Sequence, residues 1–113
     1  MIQYRIYQIK DIENTDYAFR DYNPDKFKFG DYQLVYRGEV TEQEFPKDKF
    51  PELHEAQVLG KTVAEAIFIK YNYYPKPADY QARSLSTSDI LEIEDEKKLR
   101  LYYCNSIGWL RIR

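Results

Sequence analysis

An α+β fold class follows from three observations on this 113-residue chain. Several short stretches are rich in alternating β-branched and aromatic residues, one stretch has helical period, and turn-forming segments separate them. The predicted architecture is a single domain spanning residues 1–113, with a mostly antiparallel sheet of about five strands and one main helix packed on it. A chain of this length holds one core and buries roughly two-thirds of the surface it exposes when unfolded.

Each element has a local reason. The stretch "IQYRIYQI" at residues 2–9 reads as a first strand, with Ile2, Tyr4 and Ile6 on one face and Gln3, Arg5 and Tyr7 on the other. Residues 11–30, dense in Asp and Asn and ending on Gly30, read as a turn-rich connection with a short helical turn at Asp16–Arg20. In "DYQLVYRGEV" (31–40), Tyr32, Leu34 and Tyr36 alternate with Gln33, Val35 and Arg37, which predicts a second strand. Residues 41–60 carry two prolines and no clean period, and read as an acidic loop with a short helix before Gly60. A helix follows. Thr62 and Glu65 have the spacing of a capping box, Val63, Ala66, Ile67 and Tyr71 form its apolar stripe, and Ala64, Phe68 and Ile69 widen that stripe. Pro75 and Pro77 end it near Asn72. Three strands close the chain at 89–94, 99–105 and 108–113, joined by links short enough for hairpins. Leu91, Ile93, Leu99, Leu101, Tyr103, Leu110 and Ile112 are predicted to face the core. Glu92, Glu94, Arg100, Tyr102, Trp109, Arg111 and Arg113 are predicted on the opposite face.

Composition narrows the function classes. Twelve tyrosines and six phenylalanines suit half-buried strands and contact surfaces, because tyrosine buries a ring and keeps a polar tip. A net charge of −2 argues against binding nucleic acid by general phosphate neutralisation. Residues 1–60 hold twelve acids against eight bases, and the remainder holds seven against nine. One cysteine, Cys104, allows no internal disulfide, and no apolar run approaches a membrane span. A cytoplasmic protein is expected.

The stretch "RSLSTSDILEI" (83–93) raises the question of hydroxyl chemistry, through Ser84, Ser86, Thr87 and Ser88 beside Asp89. A serine nucleophile needs a base in reach, and the only histidine, His54, lies thirty residues upstream between Glu52 and Glu55. The stretch is read instead as a side-chain-to-backbone turn that sets the entry of the last strands. His54 among carboxylates lacks metal-ligand spacing and reads as a solvated loop residue, and no glycine-rich phosphate loop exists. No catalytic residue, metal or cofactor is predicted. Glu92 and Glu94 are read as cross-strand charge partners of Arg100 and Arg111. Two contact surfaces remain. Glu42, Glu44, Asp48, Glu52 and Glu55 offer an acidic surface to a basic groove of a partner. Arg100, Tyr102, Trp109, Arg111 and Arg113 offer an aromatic and basic strand face on which single-stranded RNA bases could stack.

"YRIYQIK", "YAFRDY", "DYQLVYRGEV", "RSLSTSDILEI" and "YYCNSIGW", in that order over nearly the whole chain, resemble the YodL-like domain of Firmicutes. This sequence has Thr87, Asn105 and Trp109 where that pattern has valine, aspartate and phenylalanine. The resemblance transfers no active site. It implies a mobile-element context, in which the chain is similar to the small type II-A anti-CRISPR inhibitors. The function so implied is stoichiometric binding to a CRISPR effector nuclease or its guide RNA, blocking their assembly. The alternatives are a regulatory or housekeeping protein-binding module and a ribonuclease that cleaves the guide RNA.

Overall fold

The computed structural model describes residues 2–54, 60–96 and 98–113. Five strands pair antiparallel throughout in the order β2-β1-β3-β4-β5: β1 (Ile2–Ile9), β2 (Tyr32–Glu39), β3 (Ile90–Asp95), β4 (Lys98–Asn105) and β5 (Gly108–Arg111). The helix α1 (Gly60–Tyr73) lies between β2 and β3 in the chain and packs on one face of the sheet. Thr62 is already inside α1, so its hydroxyl is not the predicted cap. Asp16–Arg20 forms turns rather than a helical turn, and the predicted short helix before Gly60 is a 3-10 turn at Pro51–His54.

The helix stripe reads as predicted, since Val63, Ala64, Ala66, Ile67 and Tyr71 are all buried. They meet Tyr4, Ile6, Leu91 and Ile93 from the two central strands. Ile69, expected to widen the stripe, is 41% exposed. Lys70, seven residues after Val63 and therefore on the same face, is buried instead. Its ammonium lies 2.9 Å from the Glu44 carboxylate and above the Phe45 ring, so the charge enters the interior paired.

The other face of the sheet has a core of its own, which the one-layer expectation missed. Ile9, Tyr17, Tyr32, Ile90, Leu101 and Tyr103 are buried there, with Tyr7, Tyr22, Phe27 and Phe29 packed around them. Residues 11–30, read as a turn-rich connection, supply much of this second layer. An irregular segment has few ladder partners, so its backbone polar groups need others. Tyrosine hydroxyls supply some of them: Tyr103 donates to the Arg20 carbonyl at 2.8 Å and Tyr17 accepts the Lys28 N–H at 3.3 Å, while Tyr32 donates to the Ser88 carbonyl at 2.6 Å. Tyr17 donates to the Asp31 carboxylate at 2.8 Å. This use of ring and hydroxyl together accounts for much of the tyrosine enrichment.

Cross-strand register corrects the assignment of faces. Leu91 pairs with Tyr102 and Ile93 with Arg100, so those side chains share the face under α1. Tyr102 and Trp109 are accordingly buried beneath the helix. Leu99 and Leu110, expected inward, lie on the opposite face and are 56% and 40% exposed. The error is one of phase: β3 and β4 were aligned one residue out, and a period of two turns such a slip into a complete exchange of faces. In β2 a bulge intervenes, because Ile6 pairs with Tyr36 but Tyr7 pairs with Leu34. Tyr32 and Tyr36, which strict alternation places together, therefore serve the two different cores.

Candidate functional site

The segment 83–89 resolves into a buried polar knot. Asp89 is wholly buried immediately before β3, and its carboxylate faces the Arg83 guanidinium in a two-pronged pair, at 2.7 and 3.0 Å. It also accepts the Ser86 backbone N–H at 2.9 Å and the Gln8 side-chain amide at 3.2 Å. Burial pushes the Asp89 carboxyl above its ordinary 3.8, while the bonds from Arg83, Ser86 and Gln8 pull it back. Asp89 further accepts the Cys104 N–H through its own carbonyl, and Ser88 donates its N–H to the Cys104 carbonyl. The Ser86 N–H to Asp89 carboxylate bond is the side-chain-to-backbone turn that the sequence predicts, and backbone bonds to Cys104 stitch that turn to β4.

Two of the hydroxyls, those of Ser86 and Ser88, have structural partners. Ser86 Oγ accepts from the Arg83 guanidinium at 2.6 Å, and a guanidinium only donates, so it cannot take the serine proton. Ser88 Oγ, buried, accepts the Phe19 backbone N–H at 3.0 Å. Both residues of that last bond are in the left-handed region, Phe19 at φ 62° and Ser88 at φ 80°. A bulky phenylalanine held there stores backbone strain. Its ring, 48% exposed, is set over the Arg83 guanidinium at 5.1 Å. Cys104 is buried, and burial raises its thiol to about 12, which keeps it in the unreactive protonated form.

Further bonds extend this knot into a larger meeting point. Tyr22 N–H donates to the Asn105 side-chain carbonyl at 2.8 Å, and Ser106 donates its N–H to Asp21 at 2.7 Å. Residues 17–22, 83–89 and 102–109 are therefore fastened together at one end of the sheet. What this end shows outward is Phe19, Arg20, Asp21, Ser84 and Ile107, and Ile107 is 94% exposed at the tip of the β4–β5 turn.

The sequence-predicted contact residues are placed differently. Of the aromatic and basic face, Tyr102 and Trp109 are under α1, Arg100 stands beside Gly60 at the helix start, and Arg113 lies over Phe29 on the other side of the sheet. Arg111 is exposed and donates to the Arg113 carbonyl. These five side chains are not assembled as one exposed stacking face. Glu92 and Glu94 do pair across strands, but with Arg5 of β1, at 2.9 and 3.3 Å, rather than with Arg100 and Arg111. In the acidic set, Asp48 is exposed and Glu52 half-buried, and Glu42 accepts the Lys47 N–H at 3.1 Å. Glu44 is committed to Lys70, and Glu55 lies outside the described residues. His54 is partly buried and donates from Nε2 to the Phe45 carbonyl at 2.8 Å, with Glu42 at 3.6 Å.

Gln8, Phe19 and Arg83 escaped the sequence reading as site residues. For Gln8 a signal existed, since it interrupts an apolar strand between Tyr7 and Ile9. Nothing local marks Phe19, whose backbone strain arises from a bond to a residue 69 positions away.

The geometry defines an α+β domain with a sheet covered on both faces and its sequence-motif segments joined at one end. A model of the YodL-like domain matches residues 3–113, and the chain belongs to that family. Neither the curated proteins nor the solved structures contain a significant match to it.

Proposed function

We propose that the protein is a non-catalytic anti-defence inhibitor of a mobile genetic element, of the type II-A anti-CRISPR class. It binds an effector nuclease or its guide RNA stoichiometrically and blocks their assembly in the host cytoplasm. The observation that carries this reading is the joined end of the sheet. Three segments far apart in sequence are joined there by side-chain-to-backbone hydrogen bonds, yet the side chains they turn outward are a strained, exposed phenylalanine, a charged pair of residues and a bare isoleucine. A rigid base carrying exposed aromatic and apolar groups is the make-up of a protein contact surface. Ser86, Ser88 and Asp89, which could have served chemistry, are engaged in holding that base, and the Cys104 thiol is buried.

The test is a cleavage titration with a purified type II-A nuclease. The protein is added before or after the guide RNA, and guide length is followed in parallel. Cleavage should cease at equimolar protein added before the guide, with the guide intact. Unimpaired cleavage at large excess would refute the inhibitor and favour a regulatory binding module. Loss of cleavage at far lower amounts with a shortened guide would identify a ribonuclease.

A further inference from the structure

A cleft of about 290 Å³ opens between α1 and the β4–β5 hairpin, walled by Glu65, Phe68 and Ile69 on the helix and by Cys104, Ser106 and Trp109 on the hairpin. Its floor is apolar: the Phe68 and Trp109 rings meet edge to face, with centroids 6.2 Å apart. The exposed Ile69 lines it from the helix, and the exposed Ile107 lies in the turn between Ser106 and Gly108, which both line it. Among the described residues, its one charged wall residue is acidic. Glu65 lines the cleft, and behind Ser106 the exposed Asp21 carboxylate accepts both the Ser106 N–H and, at 3.1 Å, its hydroxyl.

An apolar floor with an acidic rim selects its occupant. A phosphate backbone is repelled by the two carboxylates. A second copy of this chain would bring its own Glu65 and Asp21 to the contact, so like charges oppose self-association. A protein segment with an apolar side chain between lysines or arginines satisfies both demands. We propose that the cleft is the anchor site for such a segment: a leucine, methionine or aromatic side chain enters over Phe68 and Trp109, and its basic neighbours face Glu65 and Asp21. This names the contact made by the inhibitor's protein partner, and rests on that reading for the identity of the partner alone. Burying one large apolar side chain in a desolvated pocket ringed by weaker polar contacts is how most interface hot spots gain their energy.

The test uses the full chain, isotope-labelled for amide NMR, and three capped peptides. One carries leucine between arginine and lysine, one has glutamates as the flanking residues, and one keeps the basic flanks around serine. Saturable shifts are expected at the Ile69, Ser106, Ile107 and Gly108 amides with the basic, leucine-centred peptide alone. Glu65→Lys, an exposed position that leaves the core untouched, should raise its Kd about tenfold. The proposal fails if the serine or glutamate peptides shift these amides equally, or if none of the three does. It also fails if the chain alone dimerises through these residues on concentration, which would assign the cleft to a second copy. The outcome is independent of the cleavage titration. A chain that takes the peptide but spares the nuclease keeps the cleft assignment and loses the inhibitor reading.

Discussion

Asp89 shows how one residue carries two duties. Its side chain pins Arg83, Ser86 and Gln8, and its backbone pairs with β4. Asp89→Ala leaves a guanidinium, an N–H and an amide without their acceptor, and should cost roughly 3 kcal/mol or more in chemical denaturation. Ser86→Ala removes one bond to Arg83 and should cost about 1 kcal/mol. Both should change stability and leave binding by the folded fraction as it was. Lost binding with an unchanged denaturation midpoint would show the knot to be a contact in its own right. The raised Asp89 carboxyl also sets a pH signature. Above 3.8 the folded state holds this proton more tightly than the unfolded one, so its contribution to stability is fully present below that value. It is lost as pH rises through the folded pKa. Comparing denaturation midpoints of the wild type and Asp89→Asn between pH 7 and about pH 4 should show a component that strengthens on acidification only in the wild type.

At the scale of elements, β2 depends on a close approach to β1. A methyl group at Gly38 would fall 2.3 Å from the Tyr4 ring, whose hydroxyl is 2.7 Å from that of Tyr71 on α1. Because Tyr4 is buried and tied to the helix, the ring has no free end to swing away. Gly38→Ala should therefore cost about 1–3 kcal/mol by overpacking, read from the denaturation midpoint. An unchanged midpoint would mean that β2 can shift as a unit along its bulge. The helix is held in the same way by specific partners, Lys70 with Glu44 and Tyr71 with Tyr4, in addition to its apolar stripe.

Across the whole molecule, tyrosines link the two cores to the strands between them. Burial raises the phenols of Tyr4, Tyr17, Tyr32, Tyr71, Tyr80 and Tyr103 above the ordinary 10.0, with Tyr17 and Tyr80 at about 12. The folded state thus keeps these protons where the unfolded state releases them. The stability they contribute is complete below pH 10 and falls as pH rises beyond it. Phenolate absorbance from this group should appear together with loss of tertiary structure in an alkaline titration. Its appearance well before unfolding would mean that the second layer opens on its own.

Much of this was legible in the chain. The strand and helix stretches, the α1 stripe and the turn character of 83–89 follow from period, β-branching and hydroxyl chemistry, which are local properties. The faces of β4, the bulge in β2 and the second layer were not, because each is set by register between segments distant in sequence. A one-residue change of register exchanges the two faces without altering any local pattern. Tyr102 and Trp109 looked like an exposed pair for that reason and are core. The candidate site divides along the same line. Its serines and Asp89 stood out as residues, and their guanidinium partner opens the same stretch, but Gln8 and the strained Phe19 came from elsewhere in the chain. By itself the sequence determined one α+β domain of the YodL-like family. Only the tertiary structure decided which side chains that domain spends on holding itself together and which it leaves for a partner, because burial and pairing are properties of contacts and not of residues.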